Sequence, residues 1–280
     1  MITNIRVALI FMIVVLITIL LFPIQYIAVK LGLGLSRKIP VIWHRMVLKL
    51  IGIRVHVAGK LVEDRPLLIV SNHISWTDIL VLGSIDEMSF IAKHEVDKLP
   101  GANLLARMQR TIFVIRENKR EVAKQAREVT NRLISGDPIV LFPEGTTGNG
   151  NRVLEFKSSL FGATHYALND GGIEKVYVQP VSIAYTKLHG MPIGRIGRTL
   201  CAWTGDMDLG PHINTILRNP SWDIEVRIGE PMEIDKNTRR REIASVTRNR
   251  IRGMYVEASF GRASLSIKEK QTVSFFRKSR

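Results

Sequence analysis

From Val7 to Phe22 the chain is apolar except at Thr18, and between Arg6 and Lys30 it carries no charged side chain. Roughly 20 apolar residues in a helix cross the hydrocarbon core of a bilayer. The stretch therefore predicts a membrane helix, despite Pro23 and Gln25 near its end. A secretory signal fits less well, because only Arg6 precedes the run and no small-x-small cleavage site follows it. A buried core helix is the other alternative, but such a long run without a polar face is unusual for one. The next segment, Ser36–Ile51, mixes Ile42, Trp43, Met46, Leu48 and Leu50 with Arg37, Lys38, Arg45 and Lys49. Helices lying among lipid headgroups share this pattern with helices packed on a domain surface.

Beyond residue 50, short apolar runs alternate with amphipathic stretches, the pattern of an α/β domain. Strands are predicted at Arg54–Val57, Leu67–Val70, Ser89–Ala92, Thr111–Ile115, Ile139–Phe142, Val176–Ala184, Leu200–Trp203 and Ile224–Ile228. Helical spacing marks Asp78–Leu82, Asn118–Ser135 and Ser158–Leu168. In the second of these, Val122, Ala126, Val129 and Leu133 recur on one face, and Gly136-Asp137-Pro138 stops the helix. No long linker and no internal repeat is visible. The expected fold class is thus α/β, a central mixed sheet flanked by helices, preceded by the membrane helix and a basic amphipathic helix. It divides into an anchor over 1–35, a catalytic-size domain over 36–262 and a basic mobile tail over 263–280 that contains Phe275-Phe276.

Charge and cysteine usage narrow the partners. The 280 residues carry a formal charge of +15, which suits nucleic acid, an anionic membrane surface or an acidic carrier and phosphate-bearing substrate. The apolar N-terminus favours the lipid surface, and no zinc finger or interleaved aromatic-basic signature argues for nucleic acid. Lys30, Arg37, Lys38, Arg45 and Lys49 follow the apolar segment, which places everything after residue 30 in the cytoplasm by the positive-inside rule. Cys201 is the sole cysteine, so an intrachain disulfide and a cysteine-based zinc cluster are excluded.

Three loops could carry chemistry. Leu67-Leu68-Ile69-Val70 reads as a buried strand and leads into Ser71-Asn72-His73, with an amphipathic segment starting near Asp78. Open α/β sheets place their ligands at such strand ends. A histidine there is a candidate general base if a carboxylate fixes its tautomer and stabilises its imidazolium, and Asp78 is the candidate carboxylate. The competing reading makes Ser75-x-x-Asp78 a helix cap. Spacing alone does not decide, since His165 and Asp170 repeat it, although Asp170 sits in the turn Asn169-Asp170-Gly171-Gly172. The second loop, Phe142-Pro143-Glu144-Gly145-Thr146-Thr147-Gly148, follows another apolar run, and glycines at 145, 148 and 150 open its backbone to a polar ligand. It is not a Walker loop, and no Gly-x-Ser-x-Gly elbow of a serine hydrolase is present. The third is the strand Thr111–Ile115 ending in Arg116, an arginine being suited to hold phosphate.

Together these blocks resemble the glycerolipid acyltransferase family, in particular bacterial 1-acyl-sn-glycerol-3-phosphate acyltransferases. Asn72-His73-Ile74-Ser75-Trp76-Thr77-Asp78 is similar to that family's Asn-His-x-Ser-x-x-Asp block. Ile112–Arg116, Phe142–Thr146 and Val178-Gln179-Pro180-Val181 resemble its later blocks, in the same order, with Phe90-Ile91-Ala92-Lys93 and Phe156-Lys157 between them. The resemblance implies that His73 is the base and Asp78 its partner. It implies that Arg116 holds an acceptor phosphate, that Glu144, Gly145 and Thr146 line the acceptor pocket, and that Lys93 and Lys157 are weaker phosphate contacts. No metal and no resident cofactor is implied; the co-substrate is acyl-acyl-carrier protein or acyl-CoA. The implied reaction is acylation of 1-acyl-sn-glycerol-3-phosphate at a bacterial inner membrane, with the catalytic domain facing the cytoplasm. Lyso-ornithine lipid and glycerol-3-phosphate are alternative acceptors, and a non-catalytic basic membrane-binding protein is the remote alternative. Thr147 stands where many members have arginine, with Arg110 or Arg152 as possible substitutes; Arg110-Thr111 replaces a glycine and Gln179 an apolar residue.

Overall fold

The computed structural model describes residues 2–94, 97, 101–114, 119–169, 171–205 and 207–260. Arg116, Asp170 and the tail over 263–280 lie outside the described residues.

The apolar run forms one long helix, α1 (Ile2–Lys30), and the chain turns through Gly32 at φ +64° into α2 (Leu35–Ile51). Trp43 Nε1 donates to Thr18 Oγ1 at 2.9 Å and Gln25 Nε2 to the Ser36 carbonyl at 2.9 Å. Those pairings make the two helices an antiparallel hairpin. Ile39, Val41, Val47, Leu48 and Ile51 of α2 are buried, while Ile42 and Met46 face outward. The segment with two readings is therefore a domain-packed helix that keeps apolar side chains on its outer face. Phe11, Ile19 and Leu20 of α1 are each more than 60% exposed.

Among the described residues nine strands form one mixed sheet: β1 (Ile53–Ala58), β2 (Leu67–Ser71), β3 (Ser89–Lys93), β4 (Ile112–Val114), β5 (Ile139–Leu141), β6 (Val176–Leu188), β7 (Met191–Pro192), β8 (Trp222–Ile228) and β9 (Met232–Ile234). The order along the sheet is β1-β8-β6-β2-β5-β3-β4, with β7 and β9 paired antiparallel to β6. Strands β6, β2, β5, β3 and β4 run parallel, and β8 is antiparallel to β6. Every residue of β2 is buried, as a strand covered on both faces requires. Strand β6 is long. Its first half pairs with β2, Ser71 opposite Val181, and its second half runs on past the end of β2.

Helices α3 (Thr77–Gly83), α4 (Ala102–Met108), α5 (Lys119–Ile134), α6 (Gly162–Asn169), α7 (Arg195–Cys201), α8 (Leu209–Arg218) and α9 (Arg240–Phe260) complete the domain. The predicted helix over Ser158–Leu168 is a short 3-10 turn, Ser158–Phe161, continuing into α6. The strand predicted at Leu200–Trp203 is absent. Those residues end α7 and enter a loop, because Arg198 and Cys201 are buried on one side of a helical turn and a short apolar run does not separate strand from helix. Helix α9 escaped prediction because arginines dominate it, yet Ile243, Thr247, Ile251 and Tyr255 recur every four residues and are buried against the sheet.

Candidate active site

The parallel strands bring the loops after β2 and β5 to one end of the sheet, the carboxyl end. Asn72 fixes the first loop. Its Nδ2 donates to the Ile183 carbonyl and its Oδ1 accepts from the Ile183 N–H, both at 2.9 Å, so a side-chain amide continues the ladder where β2 stops. His73 follows at once.

His73 Nδ1 lies 2.8 Å from Asp78 Oδ2. The same oxygen accepts the N–H of Ile74 at 2.6 Å and of Ser75 at 2.9 Å, while Asp78 Oδ1 accepts the Tyr185 hydroxyl at 2.8 Å. Asp78 is fully buried, and the His73 side chain is 17% exposed. Asp78 thus pins the turn that leads into α3 and holds the histidine with one carboxylate. The Ser75 hydroxyl is not the cap: it is buried without a hydrogen-bond partner. Engaging Nδ1 with a carboxylate puts the imidazole proton there and leaves the lone pair on Nε2, the nitrogen that can take a proton. The His73 ring stacks on Phe142 with centroids 4.0 Å apart and planes 15° apart.

Sequence reading missed Tyr185. Burial first, and then the neighbouring Asp78 charge, push its phenol up, so it stays protonated and donates. Thr77 Oγ1 hydrogen-bonds the Tyr185 oxygen, which gives a chain from Thr77 through Tyr185 to Asp78. Only the extension of β6 past β2 brings residue 185 here, and no local signal around Tyr185 foretells it.

The glycine-rich loop after β5 closes on the histidine loop. Gly148 N–H donates to the His73 carbonyl at 2.7 Å, and a Cβ on Gly148 would stand 3.4 Å from Glu144 Oε2 and 3.6 Å from that carbonyl. Gly145 turns the chain at φ +71°, and Lys157 N–H ties the loop's far side to the Pro143 carbonyl at 2.8 Å. Glu144 is 3% exposed and its Oε2 has no hydrogen-bond partner. Burial pushes its carboxyl up to about 8, against the backbone N–H groups of His73 and Leu154, which favour the ionised form. Of the predicted site residues, His73, Asp78, Glu144 and Gly145 come together; Thr146 is exposed on the loop rim and Lys157 is exposed behind it. Lys93 ends β3 and its side chain lies outside the description. His165, the second histidine of the repeated spacing, lies on α6 near Arg240 and Thr238 instead, and burial lowers its pKa.

A family model for acyltransferases matches residues 52–184, which hold both loops. The chain is 47% identical over 262 residues to the lyso-ornithine lipid O-acyltransferase of Brucella abortus (strain 2308), spanning 94% of this chain and 98% of that one. The chain belongs to the acyltransferase family. A lyso-ornithine lipid O-acyltransferase of Rhizobium meliloti (strain 1021) is 42% identical over 268 residues, 96% of this chain and 92% of that one. The fold matches the crystal structure of the 1-acyl-sn-glycerophosphate acyltransferase from Thermotoga maritima with a TM-score of 0.61, covering 89% of this chain and 95% of that one at 22% identity.

In this acyltransferase the departures from the family blocks have structural uses. Thr147 Oγ1 donates to the Trp203 carbonyl, and Trp203 N–H donates to the Ile74 carbonyl at 2.9 Å, so residue 203 staples the loops after β2 and β5. Gln179 is buried, with Oε1 accepting Val62 N–H and Nε2 donating to the Lys60 and Gly229 carbonyls. Arg110 cannot replace an arginine at position 147. It stands at the amino end of the sheet, just before β4, paired with Asp137 at 2.6 Å. Arg152 is exposed on the loop beyond Gly150.

Proposed function

We propose that this acyltransferase moves a fatty acyl group from an acyl thioester to the free hydroxyl of lyso-ornithine lipid. His73 Nε2 takes the hydroxyl proton as the oxygen attacks the thioester carbonyl. The tetrahedral intermediate collapses, the C–S bond breaks, and the imidazolium returns its proton to the departing thiolate. Asp78 steadies the imidazolium between those steps. The observation that carries the chemistry is the 2.8 Å contact between His73 Nδ1 and a carboxylate with no solvent exposure. The acceptor reading rests on the names of the two long-range relatives, and it moves lyso-ornithine lipid ahead of lysophosphatidate, which the sequence blocks put first. Thr147 in place of a family arginine agrees with an acceptor that carries no phosphate. Acyl-carrier protein and coenzyme A, both acidic, are the donor carriers that suit a chain of +15.

The apolar exposed face of α1 supports attachment to the bacterial inner membrane, and the cations after residue 30 support a cytoplasmic active site. The reading is tested with full-length protein, radiolabelled acyl-acyl-carrier protein and acyl-CoA, and three acceptors: lyso-ornithine lipid, lysophosphatidate and glycerol-3-phosphate. Label should enter ornithine lipid at the highest rate. Preferential acylation of lysophosphatidate would restore the other acceptor. Acyl transfer by folded His73→Ala protein at the wild-type rate would end the catalytic assignment.

A further inference from the structure

Helix α7 is built the wrong way round for a free surface helix. Ile196 is 87% exposed and Leu200, one helical turn later on the same face, is 42% exposed. Met191 and Met207 flank them at 71% and 42%. The inner face is well seated, since Arg198 is 3% exposed and Cys201 fully buried. The apolar outer face is therefore not the by-product of a loosely held helix. Lys187 and Arg195 are exposed beside it, the mixture of apolar and basic side chains found where protein meets lipid headgroups.

Its position gives the patch a use. Asn151 Nδ2 donates to the Arg195 carbonyl at 3.2 Å, and Trp203, just past α7, holds both active-site loops. Helix α7 thus stands on the rim of the His73 site. On its other side α8 packs against α7 and also against α1. Arg218 reaches Asn4 at 2.7 Å, and Arg6 reaches the Leu217 carbonyl at 2.5 Å. Helix α8 thus joins α1 to α7 by packing, although between their two apolar faces it turns Asn214 and Arg218 to solvent.

We infer that the Ile196–Leu200 face of α7 is a second membrane contact, which presses the mouth of the active site onto the acyl-chain region of the leaflet that holds the acceptor. The delivery of acceptor rests on the proposed lysolipid reaction; the contact itself rests on the exposed apolar face, the cations beside it and the packing of α7 through α8 to α1.

Because Cys201 is the sole natural cysteine and is fully buried, Ile196→Cys in the full chain takes a polarity-sensitive dye at one exposed position. Lys236→Cys supplies the control, exposed beyond β9 at the opposite end of the sheet. On vesicles of phosphatidylglycerol and phosphatidylethanolamine the dye at 196 should shift to the blue and be quenched by brominated acyl chains, and the dye at 236 should do neither. A blue shift without bromine quenching would mean that the chain covers the patch itself, and equal responses at both positions would mean that no local contact exists; either overturns the inference. In a second arm, Ile196→Asp should lower the ratio of acyl transfer in vesicles to transfer in detergent about tenfold, the size of one lost apolar side-chain insertion. A ratio equal to wild type also overturns it. Wild-type protein inactive on every lysolipid would instead defeat the proposed reaction, and the dye result would still decide the contact.

Discussion

Two aspartates are buried at opposite ends of the same sheet, and they are neutralised in opposite ways. Asp78, at the carboxyl end, meets donors without formal charge: two backbone N–H groups, the Tyr185 hydroxyl and the His73 ring. Asp137, at the amino end, meets three guanidinium groups, Arg37 at 2.9 Å, Arg110 at 2.6 Å and Arg132 at 2.7 Å. Cations cancel a carboxylate's field; neutral donors hold it in place and leave the charge to act on what comes next to it. At Asp78 what comes next is an imidazole that must become positive during the proposed proton transfer. At Asp137 the surplus is positive, and burial followed by the Arg132 charge lowers the pKa of Arg110. The first arrangement suits the proposed chemistry, and the second holds α2, α5 and the start of β4 together.

The two sites should therefore fail differently. Asp78→Asn should lower acyl transfer by about 10²–10⁴-fold, the range general-base catalysis spans, because the amide cannot stabilise the imidazolium. Steady-state rates on folded protein, checked by circular dichroism, measure this; a loss under tenfold would break the comparison. Asp137→Asn should leave the rate per folded molecule unchanged and cost about 3 kcal/mol of stability, because partly buried arginines lose their counter-charge. Denaturant midpoints in mild detergent give that number.

How much of this could be read from the chain differs between the two ends. His73 and Asp78 are five residues apart in one loop, so the pair is visible once the preceding run is recognised as a buried strand. Glu144 and its glycines are likewise local. Asp137 was legible only as a helix stop, since its partners at 37, 110 and 132 come from three separate elements. Tyr185 is 107 residues from Asp78 in the chain and meets it through the register of β6. Parallel pairing across the sheet brings Tyr185 to Asp78 and Arg110 to Asp137, and periodicity within a segment carries no trace of either contact. A different obstacle hid α9, whose buried positions are spaced correctly but sit among arginines.

Intermediate effects belong to the groups that surround Asp78. Tyr185→Phe removes one donor to Oδ1 and should cost about 1–2 kcal/mol, seen as a five- to thirtyfold loss of kcat. Glu144→Gln tests the neighbouring buried carboxyl. Between its ordinary 4.5 and about 8, the folded protein keeps a proton that the unfolded chain has released. Stability from this group is therefore complete below pH 4.5 and falls as pH rises through 8. At pH 7 the loss is about 3 kcal/mol. The glutamine variant should lack that slope, so the difference between its unfolding curves and those of wild type should grow from pH 5 to pH 7.

The smallest effect should come from Arg37→Gln. Its side chain is 43% exposed, and Arg110 and Arg132 remain on Asp137 when it is gone. An exposed ion pair contributes about 0–1 kcal/mol, and here the third guanidinium also repels the other two. The predicted change in unfolding free energy is below 1 kcal/mol, with either sign allowed by the repulsion. Salt sharpens the reading. If Arg37 is a surplus charge, raising salt should screen its repulsion of Arg110 and shrink the difference between variant and wild type. A loss above 2 kcal/mol, insensitive to salt, would show instead that Asp137 needs all three arginines, and that the amino-end cluster is balanced as closely as the site at the other end.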